Sequence, residues 1–193
     1  MCKFIAFSGS HGVGKTTLIN KIAERLDSKI KIFNEINTGL ARIGFPLNAN
    51  GHDFHETMFA QKQAFDLSYN TILFYLSRQY EERIIVSDRS CLDTYIYTSY
   101  FLSKYPEHQE EYGSLLADMA EKSKEIVEKV THVFLPPFYD FEETNMRMTI
   151  EDRNAIWQKF LEYLAENSSP KSLILEGANT TLRLEEFVKV FAN

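Results

Sequence analysis

Short apolar runs alternate along this chain with stretches whose apolar positions recur every three or four residues. Lys3–Ser8 (KFIAFS) is a continuous apolar run of the kind that forms a buried parallel strand. After a glycine-bearing segment, Leu18, Ile22 and Leu26 fall at i, i+4 and i+8, one face of a helix. Lys29–Asn34 predicts a second strand that ends at Glu35. Residues 36–52 carry glycine, asparagine and Pro46, and predict mostly loop with a single helical turn. From Asp53 to about Tyr80, Met58, Phe65, Tyr69, Ile72 and Leu76 form a helical stripe. Arg83–Ser87 predicts a third strand aimed at Asp88, and residues 90–103 an aromatic-rich helix. A 3.6-residue period runs from Glu107 to Val130, and Thr131–Leu135 is a fourth strand stopped by Pro136-Pro137. Residues 138–149 are polar and without period. Glu151 to about Glu166 is helical, Ser172–Leu175 a fifth strand, and Leu184, Phe187, Val188 and Phe191 mark a closing helix. This alternation predicts an α/β fold, a five-stranded parallel sheet covered by helices on both faces, in a single domain spanning 1–193.

The glycine-bearing segment narrows the chemistry. Gly9-Ser10-His11-Gly12-Val13-Gly14-Lys15-Thr16 is G-x-x-x-x-G-K-[ST], and it lies between a strand and a helix as the phosphate-binding loop requires. The glycines let successive N–H groups turn towards one anion, and the following helix adds the positive end of its dipole. Lys15 is placed to reach the β- and γ-phosphates, the Thr16 hydroxyl to ligate Mg²⁺, and Thr17 to extend the cradle into the helix. The expected cofactors are ATP and Mg²⁺. The alternative is a glycine-rich turn with a solvated lysine.

In open parallel sheets, ligands bind beyond the carboxyl ends of the strands. Glu35, at the end of strand two, is the candidate base for an acceptor hydroxyl, against a solvated or ion-paired glutamate. Asp88 stands where an acid would hold Mg²⁺ through water, against a helix N-cap for the segment from Ser90. Arg89 is a candidate grip for acceptor phosphate or the transferring group, against a salt bridge to Asp93 or Glu35. Arg147 and Arg153 flank the polar connection, a candidate lid over about 137–153 whose closure would exclude water and bring cations to the triphosphate; each has a surface residue as its alternative. Arg42 is a candidate substrate-phosphate ligand, again against a surface residue. Gln61 and Gln63 are weak candidates for reading a base edge. His11 needs no special role, and His52, His55, His108 and His132 show no metal-ligand spacing.

Composition excludes more than it selects. With 21 Lys+Arg against 27 Asp+Glu the formal charge is −6, which argues against broad nucleic-acid binding while leaving room for a local basic cleft. No run approaches the ~20 apolar residues of a membrane span. Met1-Cys2-Lys3 leads straight into a strand without room for a signal peptide, and two cysteines are too few for a disulfide framework, so a cytoplasmic setting is expected.

Together, the phosphate loop, Glu35, Asp88-Arg89-Ser90 with Asp93 three beyond, and an arginine-bearing lid resemble the P-loop nucleoside and nucleotide kinase group. Deoxynucleoside kinases carry Glu-Arg-Ser where this chain has Asp88-Arg89-Ser90; thymidylate kinases carry Asp-Arg followed by Tyr or Phe, and the aromatic is missing here. The chain is also similar to small AAA-type ATPase or kinase proteins common in bacteriophages and to the ribosylnicotinamide kinase domain. In these a loop like Gly44-Phe45-Pro46-Leu47-Asn48 follows strand two, and the lid reads Asp-Gly-x-Arg, here Thr144-Asn145-Met146-Arg147.

The resemblance implies a three-layer P-loop fold and a kinase acting on a nucleoside, a (deoxy)nucleoside monophosphate or a similar small metabolite. Glu35 would be its base, Asp88 and Arg89 would serve metal and acceptor, and Arg147 would be the lid cation. Gly177, Ala178 and Asn179, after Glu176, match the loop that packs on adenine in such kinases. A homodimer packed through helices is what it implies for assembly. The competing expectations are a kinase acting on a modified nucleoside within DNA, and a nucleotide-switched ATPase without a small acceptor.

Overall fold

The strands β1 (Lys3–Ser8), β2 (Ile30–Phe33), β3 (Ile84–Asp88), β4 (Thr131–Phe134) and β5 (Ser172–Ile174) pair in the order β2-β3-β1-β4-β5, every pair parallel. The computed structural model describes residues 3–26, 30–33, 36–42, 44, 53–77, 84–137, 149–167 and 169–191. The helices are α1 (Lys15–Leu26), α2 (Ile36–Arg42), α3 (Phe54–Ser77), α4 (Cys91–Ser103), α5 (Gln109–Lys129), α6 (Ile150–Glu166) and α7 (Thr180–Phe191), with a 3₁₀ turn at Pro106–His108.

β1 lies at the centre of the sheet, and so its residues alternate between two cores. Ile5 and Phe7 pack with Val86, Val133, Leu18, Ile22 and Phe187, under α1 and α7. Phe4 and Ala6 face the other way, towards Phe65, Ile72, Met119 and Ile126 of α3 and α5. A third cluster joins Leu92 and Ile96 of α4 to Phe134, Ile156 and Phe160, seating α6. Burial on both faces is the physical reason β1 reads as an unbroken apolar run. From β1 the chain passes to β2 and back to β3 on one side, then crosses to β4 on the other side of β1, which opens a crevice beyond the carboxyl end of β1.

The sequence-based elements shift in small ways. Residues 36–42 form a two-turn helix, where a single turn was expected. Gly39 and Asn37 lower its intrinsic propensity, and packing of α2 on α3 overrides that. Asp88 is the last residue of β3, paired in register with Phe7, rather than a residue beyond the strand. The helix expected from Glu107 divides at the 3₁₀ turn, which carries Pro106 at its start. None of the described helices is long and apolar enough to cross a membrane.

His132 is fully buried on β4, its ring stacked near Phe134 at 5.8 Å between centroids, and neither ring nitrogen has a hydrogen-bond partner among the described residues. Burial disfavours the charged imidazole and lowers its pKa from 6.5 to about 3. Between those values the unfolded chain binds a proton that the folded chain refuses, so stability falls as pH drops below the unfolded value. From pH 7 to pH 5 this one group is expected to cost about 2 kcal/mol, at 1.36 kcal/mol per unit. Urea unfolding at both pH values should show the loss in the wild type and a smaller loss in His132→Leu; equal losses would refute it.

Candidate active site

The phosphate loop is built from backbone that most residues avoid. Gly9, Gly12 and Gly14 have φ of +147°, +70° and +84°. A Cβ on Gly9 would also lie 2.7 Å from the Leu135 carbonyl oxygen, so the residue after β4 leaves no room for one. Val13 is buried in the core and pins the loop from below. The Lys15 ammonium is nearly buried and donates to the Gly9 and Ser10 carbonyls, each at 2.9 Å. The buried Ser10 hydroxyl has no hydrogen-bond partner among the described residues. Thr17 is exposed on the first turn of α1.

Thr16 and Asp88, 72 residues apart, meet directly: the threonine Oγ1 donates to Asp88 Oδ2 at 2.5 Å. The other oxygen, Oδ1, is buried without a hydrogen-bond partner among the described residues. A buried, unpaired carboxylate oxygen beside a hydroxyl is a hard-oxygen donor set that suits Mg²⁺. Asp88 is not a helix cap. Ser90 caps α4, accepting from Leu92 N, and Asp93 closes the capping box by accepting from Ser90 N.

Arg89 is the one non-glycine residue among those described with a positive φ, +76°. Such a conformation costs of order 1–3 kcal/mol and has to be held. Here the Arg89 N–H donates to Phe7 O at 2.9 Å and its carbonyl accepts from Ser87 Oγ at 2.6 Å. The turn aims the guanidinium back over the loop, where it is 9% exposed. It stands 4.9 Å from the Tyr97 ring centroid, with Nη2 3.1 Å from His11 Nδ1 and Nη1 3.8 Å from Asp93 Oδ1. The ion pair with Asp93 considered from sequence is therefore present, and it leaves Arg89 beside the loop.

Asp93 does more than pair with Arg89. Fully buried, it accepts from Ser8 Oγ at 2.7 Å, Gly9 N at 3.2 Å and Ser90 N at 3.0 Å, tying the start of the loop to the β3–α4 junction. Burial raises its pKa, while Arg89, Lys15 and the hydrogen bonds from Ser8 and Ser90 pull the other way. His11, given no role from sequence, touches both Arg89 and, edge-on, Tyr97 at 5.0 Å. Nothing in its spacing signals this.

Arg183 was missed altogether. It is 1% exposed and donates from Nη1 to Val13 O at 2.7 Å, from Nη2 to Pro136 O at 2.7 Å and from Nε to Gly177 O at 2.9 Å. One side chain thus binds together the phosphate loop and the segments after β4 and β5. A signal existed, since Arg183 lies four residues before Phe187 on the inward stripe of α7. In the segment after β5, a Cβ on Gly177 would lie 2.7 Å from Arg183 N, Ala178 is exposed, and Asn179 Oδ1 accepts from Leu182 N at 2.9 Å.

The remaining candidates divide. Arg153, on the first turn of α6, is 4% exposed, which overturns the surface alternative for it. Arg42 is exposed on the last turn of α2. Gln61 is buried, accepting from Thr98 Oγ1 at 3.3 Å. Glu35, Arg147 and positions 138–148 of the lid lie outside the described residues.

A five-stranded parallel sheet flanked by helices, with a phosphate loop after its central strand and an acid ending the neighbouring one, defines a P-loop NTPase fold. The chain belongs to the AAA domain family (AAA_28), whose family model matches residues 4–177. Among solved structures it is similar to deoxyadenosine kinase from M. mycoides, at 15% identity and a TM-score of 0.68 over 98% of each chain. It is similar to thymidylate kinase from Ehrlichia chaffeensis at 18% identity and 0.58, again over 98% of each chain. NadR protein in complex with NR matches at 17% identity and 0.67, over 97% of this chain and 48% of that one. A second NadR structure, with NAD and AMP-PNP, gives 18% and 0.66 over 99% and 49%. The chain thus spans about half the length of the NadR chains it matches. No curated protein sequence matches it.

Proposed function

We propose that this protein is an ATP- and Mg²⁺-dependent phosphotransferase that moves the γ-phosphoryl group to a nucleoside, a (deoxy)nucleoside monophosphate or a similar small metabolite. The observation that carries the reading is the convergence of Lys15, the Thr16–Asp88 pair and Arg89 on one crevice beyond β1 and β3. The fold neighbours support it, being a deoxyadenosine kinase with products, a thymidylate kinase, and NadR with NR or with AMP-PNP.

Lys15 would release the Gly9 and Ser10 carbonyls and turn its Nζ to the β- and γ-phosphate oxygens. The loop N–H groups would cradle the same phosphates. Thr16 and Asp88 would hold Mg²⁺, which supplies charge neutralisation on the phosphate oxygens. The acceptor oxygen attacks the γ-phosphorus, the bond to the β,γ-bridging oxygen breaks, and ADP leaves; for a hydroxyl acceptor Glu35 would take the proton. Arg89, with Arg147 from the lid, would offset the charge developing on the transferring group. Arg153 and the 177–179 segment would bound the nucleotide, and Arg42 would face an acceptor phosphate.

ATP consumption measured against each nucleoside, each monophosphate and nicotinamide riboside tests this. A response to one acceptor or a related few, dependent on Mg²⁺, is expected. Hydrolysis that no acceptor changes would refute transfer.

A further inference from the structure

At the start of α3 the fold gathers a group that sequence spacing did not show. His55, at the start of α3, meets His108 of the 3₁₀ turn and Glu111 of α5, with one ligand atom from each within 4.8 Å of the others. Sequence spacing shows no metal relation between them, because the partners of His55 are 53 and 56 residues away.

We propose that His55, His108 and Glu111 form a binding site for a zinc-class divalent ion that fastens the start of α3 to the start of α5. Both histidines present Nδ1 to the carboxylate, His55 at 3.6 Å from Glu111 Oε1 and His108 at 3.3 Å from Oε2. These separations are long for charge-assisted hydrogen bonds, which favour about 2.7–2.9 Å. Zinc–ligand bonds of ~2.0–2.1 Å set ligand atoms about 3.3–3.4 Å apart, and since the two histidines face different oxygens of Glu111, a turn of that carboxylate would bring one oxygen to both. Two imidazoles and one carboxylate with an open fourth position are a set that Zn²⁺ accepts and Mg²⁺ does not favour.

The site is also held in place. The Phe54 ring stacks on the His108 ring at 4.0 Å and 13°, and on Phe101 behind it at 5.3 Å and 20°. Asp53 Oδ1 accepts from the His55 and Glu56 N–H groups, fixing the first turn of α3. Tyr112 OH lies 2.8 Å from His55 Nδ1 and also interacts with Glu111, so it can turn to the carboxylate when the imidazole binds metal. An outer partner of this kind orients a ligand carboxylate.

The test is calorimetric titration of the chelator-stripped full chain with ZnCl2, in parallel with thermal unfolding. One equivalent is expected to bind and to raise Tm in the wild type. His108→Ala and Glu111→Gln should weaken that binding at least tenfold and remove the Tm shift, with unchanged circular dichroism. Asp88→Asn, at the nucleotide site, should leave the isotherm as it is. Absence of binding in the wild type, an isotherm retained in H108A and E111Q, or one lost only in D88N would each overturn the site. The result is independent of any phosphotransferase activity.

Discussion

Lys15→Ala is expected to cut phosphoryl transfer by at least about 10²–10³-fold while the protein stays folded. In the proposed reaction the ammonium follows charge onto the γ-phosphate, and losing one such preorganised donor typically costs about 3–4 kcal/mol in the transition state. Folding depends on it much less. In the structure Lys15 Nζ bonds carbonyls of its own loop, those of Gly9 and Ser10, so its loss leaves the sheet and the core clusters in place. A coupled assay with the responding acceptor, beside a thermal melt of the same preparation, separates the two effects. Activity within tenfold of wild type would remove Lys15 from the reaction and with it the main support for phosphotransfer.

Arg183→Ala should do the reverse and strike stability first. The guanidinium is 1% exposed and bonds three carbonyls, of Val13, Pro136 and Gly177. Its removal leaves those acceptors without this donor in a site too closed for easy solvation, where a buried acceptor left unsatisfied costs about 1–3 kcal/mol. That is a large part of the ~5–15 kcal/mol that holds a typical domain. Arg183→Lys keeps the charge but cannot span three carbonyls, so it should fall between wild type and alanine. Because Val13 belongs to the phosphate loop, nucleotide affinity should fall along with stability in both variants. Urea unfolding within about 0.5 kcal/mol of wild type for R183A would show the clamp to be idle.

Both residues bear on how much could be read from the chain alone. Lys15 was legible because its partners are local: strand, loop and helix are contiguous, and the motif fixes their spacing. Arg183 was not, because its acceptors lie 170, 47 and 6 residues away, and only the strand order brings them together. The same holds for Asp93, marked in the sequence as an ion-pair partner of Arg89 and by its place three beyond Ser90; its carboxylate also accepts from Ser8 and Gly9 across more than 80 residues. Asp88 was picked out by position at the end of an apolar run. Its short hydrogen bond to Thr16, and the orphan oxygen beside it, needed β1 and β3 to be neighbours.

What the amino-acid order determined by itself was the alternation of strands and helices, the phosphate loop and its lysine, and which strand-end residues are worth asking about. Each of these follows from local physics: side-chain periodicity, glycine's backbone freedom and the lysine's reach. Tertiary structure decided the rest. It turned residues 36–42 into a helix against their propensity, buried Arg153 and His132, set His11 against Arg89, and drew His55, His108 and Glu111 into one group. Those outcomes depend on contacts between distant segments, where burial and pairing outweigh local preference, and no window along the chain contains both partners.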